Sequence, residues 1–467
     1  MAAMQVETDA HLVKVLKLRH VVAIALGFTV ADGILLILSQ VLGYVGPSVI
    51  LVSLLAIALM SCIMFAGAEL AGALPAADFA GEWGTRTLSP YFGFIGTLSY
   101  GATAVIAVGL LWFPMGVYLH GFFPGVPVQV IGTIAFVITL GIVYLGALAS
   151  GETELWLNVG FFLVVVAVSV IALTRFHPTY FQPFSIGGAP GFWRAFPFVI
   201  YILFGAETMF AASEESVQGS TFWPKAMAVA MLVIGGSFLL IQVALVGLLP
   251  FRRYTLNEAD FATAAKYLFG PVGGSLFNII AFVAVFHAMV GALFIGSRFM
   301  YKMAQRGYLP KRFTHINART KIPDLGLLLT GVLGALIGST YYLKSDFYLQ
   351  AAALLTVAGL FGWVVICLSH ISYRLRQGLR RQYPGDWHIW PGDGAAGIWI
   401  SLLGLVTVVM VAGGFIYAGA FQWWFIPLWI VVISTWYGIA RRINGATVGT
   451  VPSRGVAAGD AYSTEAQ

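Results

Sequence analysis

Charge is what this sequence has least of. Only 9% of its 467 residues are Asp, Glu, Lys or Arg, against about 25% in a soluble protein, and the shortage excludes a soluble enzyme. Cysteine is almost missing as well. Cys62 and Cys367 are the only two, too few for a disulfide framework or a thiolate metal site, so both read as small packing residues. What is abundant instead is apolar surface, 59% of residues with a mean hydropathy of +0.89. Disorder needs the reverse balance, and only residues 444–467 read as an unstructured tail.

The apolar residues fall in runs of about 20, the length that crosses a hydrocarbon layer near 30 Å thick. Twelve spans are expected: 21–42, 48–74, 93–119, 127–148, 155–174, 195–213, 226–250, 275–300, 325–343, 349–371, 396–418 and 422–440. Membrane strands would alternate over about ten residues and could not give a continuous run such as 161–173. The expected organisation is an amino-terminal segment 1–19, a transmembrane body 20–443 and the tail. Residues 1–18 are largely polar and the first apolar run is a full span, so that helix is expected to be its own insertion signal.

An even span count puts both ends on one side, and the basic residues choose it. With the termini inside, nineteen of the 25 Lys and Arg fall in inner loops and six outside, the bias expected of cytoplasmic termini in an inner or plasma membrane. The net charge of +6 is then topology, with no nucleic-acid partner implied; the partner is the lipid bilayer.

Two acids fall mid-span, Asp32 in the first and Glu207 in the sixth, and His287 lies midway along the eighth. Ionisable groups at that depth cost about 2.5 kcal/mol or more and mark substrate or proton paths. Around both acids the helix carries breakers: Gly27-Phe28-Thr29-Val30-Ala31-Asp32-Gly33 and Phe204-Gly205-Ala206-Glu207-Thr208. Breaks five spans apart are expected of a 5+5 inverted repeat, with two extra helices, whose unwound first and sixth spans form the site. The plainer alternatives are that Asp32 only caps a half-helix, that Glu207 only holds neighbouring helices, and that His287 is an ordinary interior histidine.

Three stretches carry a resemblance. They are Phe204-Gly205-Ala206-Glu207 followed by Glu214-Glu215 and Pro224, then Ser297-Arg298-Phe299-Met300-Tyr301-Lys302-Met303-Ala304-Gln305-Arg306-Gly307-Tyr308-Leu309-Pro310, and Glu69-Leu70-Ala71-Gly72-Ala73-Leu74-Pro75. Together with twelve spans they resemble the amino acid, polyamine and organocation transporter superfamily over roughly residues 20–440. The resemblance implies an all-α broken-helix fold, no enzyme activity and no cofactor, and uptake of an amino acid or related amine by alternating access. Backbone at Thr29, Val30, Ala31, Asp32, Gly33 and Gly205 would hold the substrate, with Glu207 and Asp32 as negative partners and Tyr201 and Phe204 closing over an ammonium group. Trp112 and Trp363 are weaker candidates.

Departures from the family pattern shape the rest. Ala31-Asp32-Gly33 puts a carboxylate where a substrate carboxylate would dock, which favours a carboxylate-free cation such as a polyamine or simple amine; the family at large favours an amino acid. Asp78-Phe79 replaces paired glycines, and the lysine that some proton-coupled relatives carry in the fifth span falls at Val165. Proton coupling through Asp32, Glu207 and His287 is preferred over sodium, because 285–296 offers no hydroxyl ligand; exchange stays open. Glu69, Glu214, Glu215 and Arg298 are candidates for an inner charge network. Among histidines only His287 lies well inside a span, so no metal site is expected. A transporter-like nutrient sensor is the remote alternative, usually accompanied by a soluble domain that the short tails do not provide.

Overall fold

The computed structural model describes residues 16–29, 36–146, 151–216, 222–254, 260–320, 322–343, 347–385, 387–389 and 395–445. Among them there is no named strand, only an isolated parallel bridge between Leu16 and Ser216. The helices are α1 (Leu18–Thr29), α2 (Leu38–Val45), α3 (Val49–Ala73), α4 (Phe79–Thr87), α5 (Pro90–His120), α6 (Val128–Tyr144), α7 (Gly151–Leu173) and α8 (Gly188–Leu203). They continue as α9 (Phe222–Leu248), α10 (Asp260–Gln305), α11 (Asp324–Ser339), α12 (Phe347–Leu375), α13 (Gln377–Gln382), α14 (Trp399–Tyr417) and α15 (Phe425–Asn444). Eight helical stretches among the described residues are long and apolar enough to cross a membrane, and two shorter ones are apolar. Each of the twelve expected spans coincides with one helix or a helix pair, so this is a multi-pass, all-α membrane protein.

The sixth span is divided: α8 gives way at Phe204 to a 3-10 segment, Ala206–Ala212. The first is described as α1 and α2, with residues 30–35 between them outside the described residues. Gly205, at φ 103°, makes the sixth-span break, a backbone that side-chain-bearing residues rarely adopt. α1 packs on Ala206–Ala212 while α2 packs on α8, so the two broken spans lie antiparallel with their halves exchanged. The pairs α3 with α9, α5 with α10 and α6 with α11, each five spans apart, also touch. Such pairing is what inverted repeats about an axis in the membrane plane produce. α5 is the central post, enclosed by α4, α6, α10, α11 and α12. Lipid-facing positions remain apolar and exposed, as in Leu232, Val272 and Val409.

Three helical pieces go beyond the expected spans. α4 is short and rich in glycine, without an apolar run to announce it. It lies against α5 with almost nothing between: a Cβ at Gly96 would stand 2.5 Å from the Ala80 carbonyl oxygen, and one at Gly84 2.9 Å from Gly93 N. Small residues let helix backbones approach this closely. α10 begins well before its span, with a break at Gly270 (φ 74°, ψ −172°) followed by Pro271. α13 is six residues of polar and basic character. Below, the face holding the start of α1 and the end of α15 is called the termini face, the opposite one the far face.

Candidate functional site

Glu207 is wholly buried at the sixth-span break. Its Oε2 accepts the Gly205 backbone N–H at 3.0 Å and its Oε1 accepts Nε1–H of Trp363 at 2.8 Å. The left-handed turn at Gly205 is what lets the chain fold back so that a carboxylate two residues on reaches that amide. Trp363, also 0% exposed, comes from α12, and its ring lies 5.4 Å from that of Phe204. Gly359 makes room for Phe204, since a Cβ there would stand 2.2 Å from its Cζ.

α5 supplies the third wall. Tyr100 is within electrostatic reach of Glu207, and its neighbour Ser99 enters the α12 backbone ladder. Ser99 Oγ donates to the Ala358 carbonyl at 2.6 Å and accepts Gly362 N–H at 2.8 Å. A side chain inserted in this way opens a helix locally, one turn from the tryptophan that holds Glu207. The bare α-carbon of Gly362 admits both residues, a Cβ there standing 2.7 Å from Tyr100 Cε2.

The structure therefore gathers Tyr201, Phe204, Gly205 and Glu207 at one break, all buried. Thr29 ends α1; Val30, Ala31, Asp32 and Gly33 lie outside the described residues, as does the side chain of Thr29. His287 is half-buried on α10. Trp112 stacks on Phe136 at 4.7 Å and binds Thr133 Oγ1 at 3.1 Å, a packing position, and Val165 is buried. Trp363 and Tyr100 complete the Glu207 setting. No periodicity marks them, because their relation to Glu207 exists only once α5, α8 and α12 are packed together.

The termini face is closed by two polar groups. Arg306, just past α10, pairs with Asp78 Oδ2 at 2.8 Å and reaches Glu82 Oε1 at 3.9 Å; it also donates to Thr97 Oγ1 at 2.9 Å. Arg86 binds Glu82 at 2.8 Å one turn along α4. Burial pushes the Glu82 carboxyl above its ordinary range. Burial is the largest influence, and with the push from Asp78 and Glu214 it outweighs the pull of Arg86 and Arg306. Glu69 belongs to a separate cluster. It accepts from Arg374 Nη2 (3.0 Å), His370 (3.2 Å), His388 (3.1 Å) and the Ile389 N–H (3.1 Å), and lies 2.9 Å from Arg374 Nε in an ion pair, tying α3 to α12 and to the segment 387–389. Glu214 and Glu215 are part-exposed and Arg298 is exposed, so the pairing arginine of the 297–310 motif is Arg306. Ser213 bridges Ala76 N and O at 2.8 and 3.1 Å, and Leu16 N–H binds the Glu215 carbonyl at 3.0 Å. Among the described residues no group of three or more His, Cys, Asp or Glu is placed to hold a metal ion.

A twelve-span body with two antiparallel broken helices and a buried acid at a break narrows the comparison to carriers. Residues 20–444 match the profile of the amino acid permease family. The chain belongs to that family. Curated relatives include the branched-chain amino acid permease BcaP of Lactococcus lactis subsp. cremoris (strain MG1363), 25% identical over 80% of this chain and 84% of that protein. The lysine-specific permease LysP of the same strain is 26% identical over 79% and 77%. The aromatic amino acid transport protein AroP of Salmonella typhimurium (strain SL1344) is 23% identical over 90% and 94%. Among solved structures, the manganese transporter of Eremococcus coleocola aligns over 93% of this chain and 97% of that one, with a TM-score of 0.51 at 14% identity; that likeness concerns the fold. This permease is thus a membrane transporter rather than an enzyme.

Proposed function

We propose that this permease takes up an amino acid or related organic amine by alternating access, coupled to protons, across the plasma membrane with its termini face in the cytoplasm. The observation that carries the reading is Glu207, a fully buried carboxyl at a helix break whose hydrogen-bond partners are neutral N–H donors. With no arginine or lysine among those partners, the charge of the site is set by whether this carboxyl holds a proton. That suits a group which binds a substrate ammonium in one state and a proton in another. Tyr201 and Phe204 line the same break, and Asp32 and His287 are further proton-coupling candidates. The relatives are named for branched-chain amino acids, lysine and aromatic amino acids at nearly equal identity, which supports an amino acid class.

A second reading, a carrier or exchanger of carboxylate-free amines, is favoured by one feature. The Gly205 amide at the sixth-span break already binds the chain's own carboxylate, Glu207, leaving one donor fewer for a substrate carboxylate. Uptake into proteoliposomes separates the two, using labelled amino acids with unlabelled amino acids and amines as competitors, at two pH values, with and without sodium. Competition by amino acids alone, stimulated by an inward proton gradient and indifferent to sodium, is expected. Sodium dependence would overturn the proton reading, and competition by amines alone would establish the second.

A further inference from the structure

The room that Gly359 makes for Phe204 is bounded by the fold on every side but one. Gly359 and Trp363 lie one turn apart on the same face of α12, and the Phe204 ring occupies the notch where a side chain at Gly359 would stand. A Cβ there would be 2.2 Å from Phe204 Cζ and 2.3 Å from Cε2. Flipping the ring about its own axis leaves Cζ in place and does not relieve the overlap. Glycine is a weaker choice than alanine inside a helix, and close approach of the ring is what requires it here.

Neither wall of the notch has slack. The α12 backbone is pinned at this turn by α5: Ser99 Oγ donates to the Ala358 carbonyl at 2.6 Å and accepts the Gly362 N–H at 2.8 Å, two groups that an uninterrupted helix would bond to each other. The bare α-carbon of Gly362 lies against Tyr100 and Ser99, so α12 cannot back away toward α5. Trp363 bounds the notch on the other side, 5.4 Å from the Phe204 ring and held by its bond to Glu207 Oε1 at 2.8 Å. Phe204 itself ends α8, and its backbone is fixed by the left-handed Gly205 that follows. The ring is therefore free in one direction only, off α12 and into the break that Tyr201, Gly205 and Glu207 share.

We propose that Gly359 is a specificity-determining residue: the depth of its notch sets how far the Phe204 ring stands back from the break, and so the largest substrate side chain that the permease accepts. The inference rests on the reading that an amino acid or amine is bound at that break. A methyl group at Gly359 drives the ring from 2.2 Å to at least 3.4 Å, the near edge of ordinary contact. Room for one methylene changes selectivity about 10- to 200-fold, so large side chains are lost before small ones. The test is uptake into proteoliposomes of two size series: alanine, leucine and phenylalanine, then ethylamine, isoamylamine and phenethylamine. In Gly359→Ala the KM for the largest member is expected to rise at least tenfold relative to that for the smallest, in whichever series the parent transports. Adding Phe204→Leu shortens the displaced side chain and is expected to bring the ratio back. An equal rise in KM for every member, or a ratio that Phe204→Leu does not restore, overturns the inference. Where Gly359→Ala alone does not fold, the double variant is expected to fold because the clash is gone, and its failure to do so overturns the inference equally. A size effect seen with amines in a protein that ignores amino acids upholds the notch and counts against the amino acid class. If the parent takes up neither series, the uptake reading falls and melting temperatures decide the notch: recovery by Phe204→Leu of the loss caused by Gly359→Ala upholds it, and additive losses overturn it.

Discussion

At the residue scale the buried carboxyl of Glu207 and the indole of Trp363 act as one unit, and removing either partner has a different signature. Glu207→Gln keeps the volume but an acceptor for only one of the two N–H donors, so the protein is expected to insert with a modestly lowered melting temperature while uptake falls at least tenfold. Wild-type uptake would remove Glu207 from the mechanism. Trp363→Phe keeps most of the ring against Phe204 but deprives Oε1 of its donor; leaving a buried acceptor unsatisfied costs about 1–3 kcal/mol, seen as a lowered melting temperature together with reduced uptake. Glu82 carries the pH prediction. A carboxyl raised by burial binds its proton more tightly folded than unfolded, so its ionisation opposes folding at neutral pH; the opposition lessens as pH falls through the raised value and is gone below the ordinary carboxylate range. Glu82→Gln is therefore expected to melt no lower than the parent at pH 7, with any advantage vanishing in acid. A mutant melting several degrees lower at pH 7 would show that the ion pairs to Arg86 and Arg306 outweigh burial. Glu207 was legible in the sequence because a charge inside an apolar run stands out. Arg306 was not, since it lies outside a span and its meaning depends on a partner more than 200 residues away.

At the element scale, what the sequence made plain was what hydrocarbon thickness dictates: each expected span has its helix, and the glycine-acid clusters mark the divided ones. α4 escaped because it is held by absence of side chains rather than by an apolar stripe. That mode of packing gives a prediction. Gly96→Ala would drive a Cβ to 2.5 Å from the Ala80 carbonyl oxygen, and backbone cannot yield as a flexible side chain can. α4 must shift off α5, carrying Asp78 and Glu82 away from Arg306. Expected are a fall in melting temperature and faster proteolysis of the α3–α4 linker, and a matching loss in Arg306→Gln. Unchanged melting and proteolysis of Gly96→Ala would show that α4 floats freely of α5.

At the scale of the whole molecule, the contacts divide into a crossed group and a frame. α1, α2, α3, α8 and α9 pack among themselves, while α5 gathers α4, α6, α10, α11 and α12. If transport is a rocking of one group against the other, links inside a group are harmless and links between groups are not. Two pairs test this. Ser48 Oγ and Ser185 Oγ are 3.3 Å apart on the far face, joining the turn after α2 to the approach to α8, both within the crossed group. Ser213 Oγ touches Ala76 backbone at 2.8 Å, joining the end of the sixth span to the linker that leads into the frame through α4. Each pair is in hydrogen-bond contact, near enough to try as a disulfide. In a background lacking the native cysteines, oxidised Ser48→Cys/Ser185→Cys is expected to transport as well as its reduced form. Oxidised Ala76→Cys/Ser213→Cys is expected to stop and to recover with reductant. Arrest by the first pair alone would mean that the broken spans move against each other, not together, and would redraw the division on which alternating access in this permease is built.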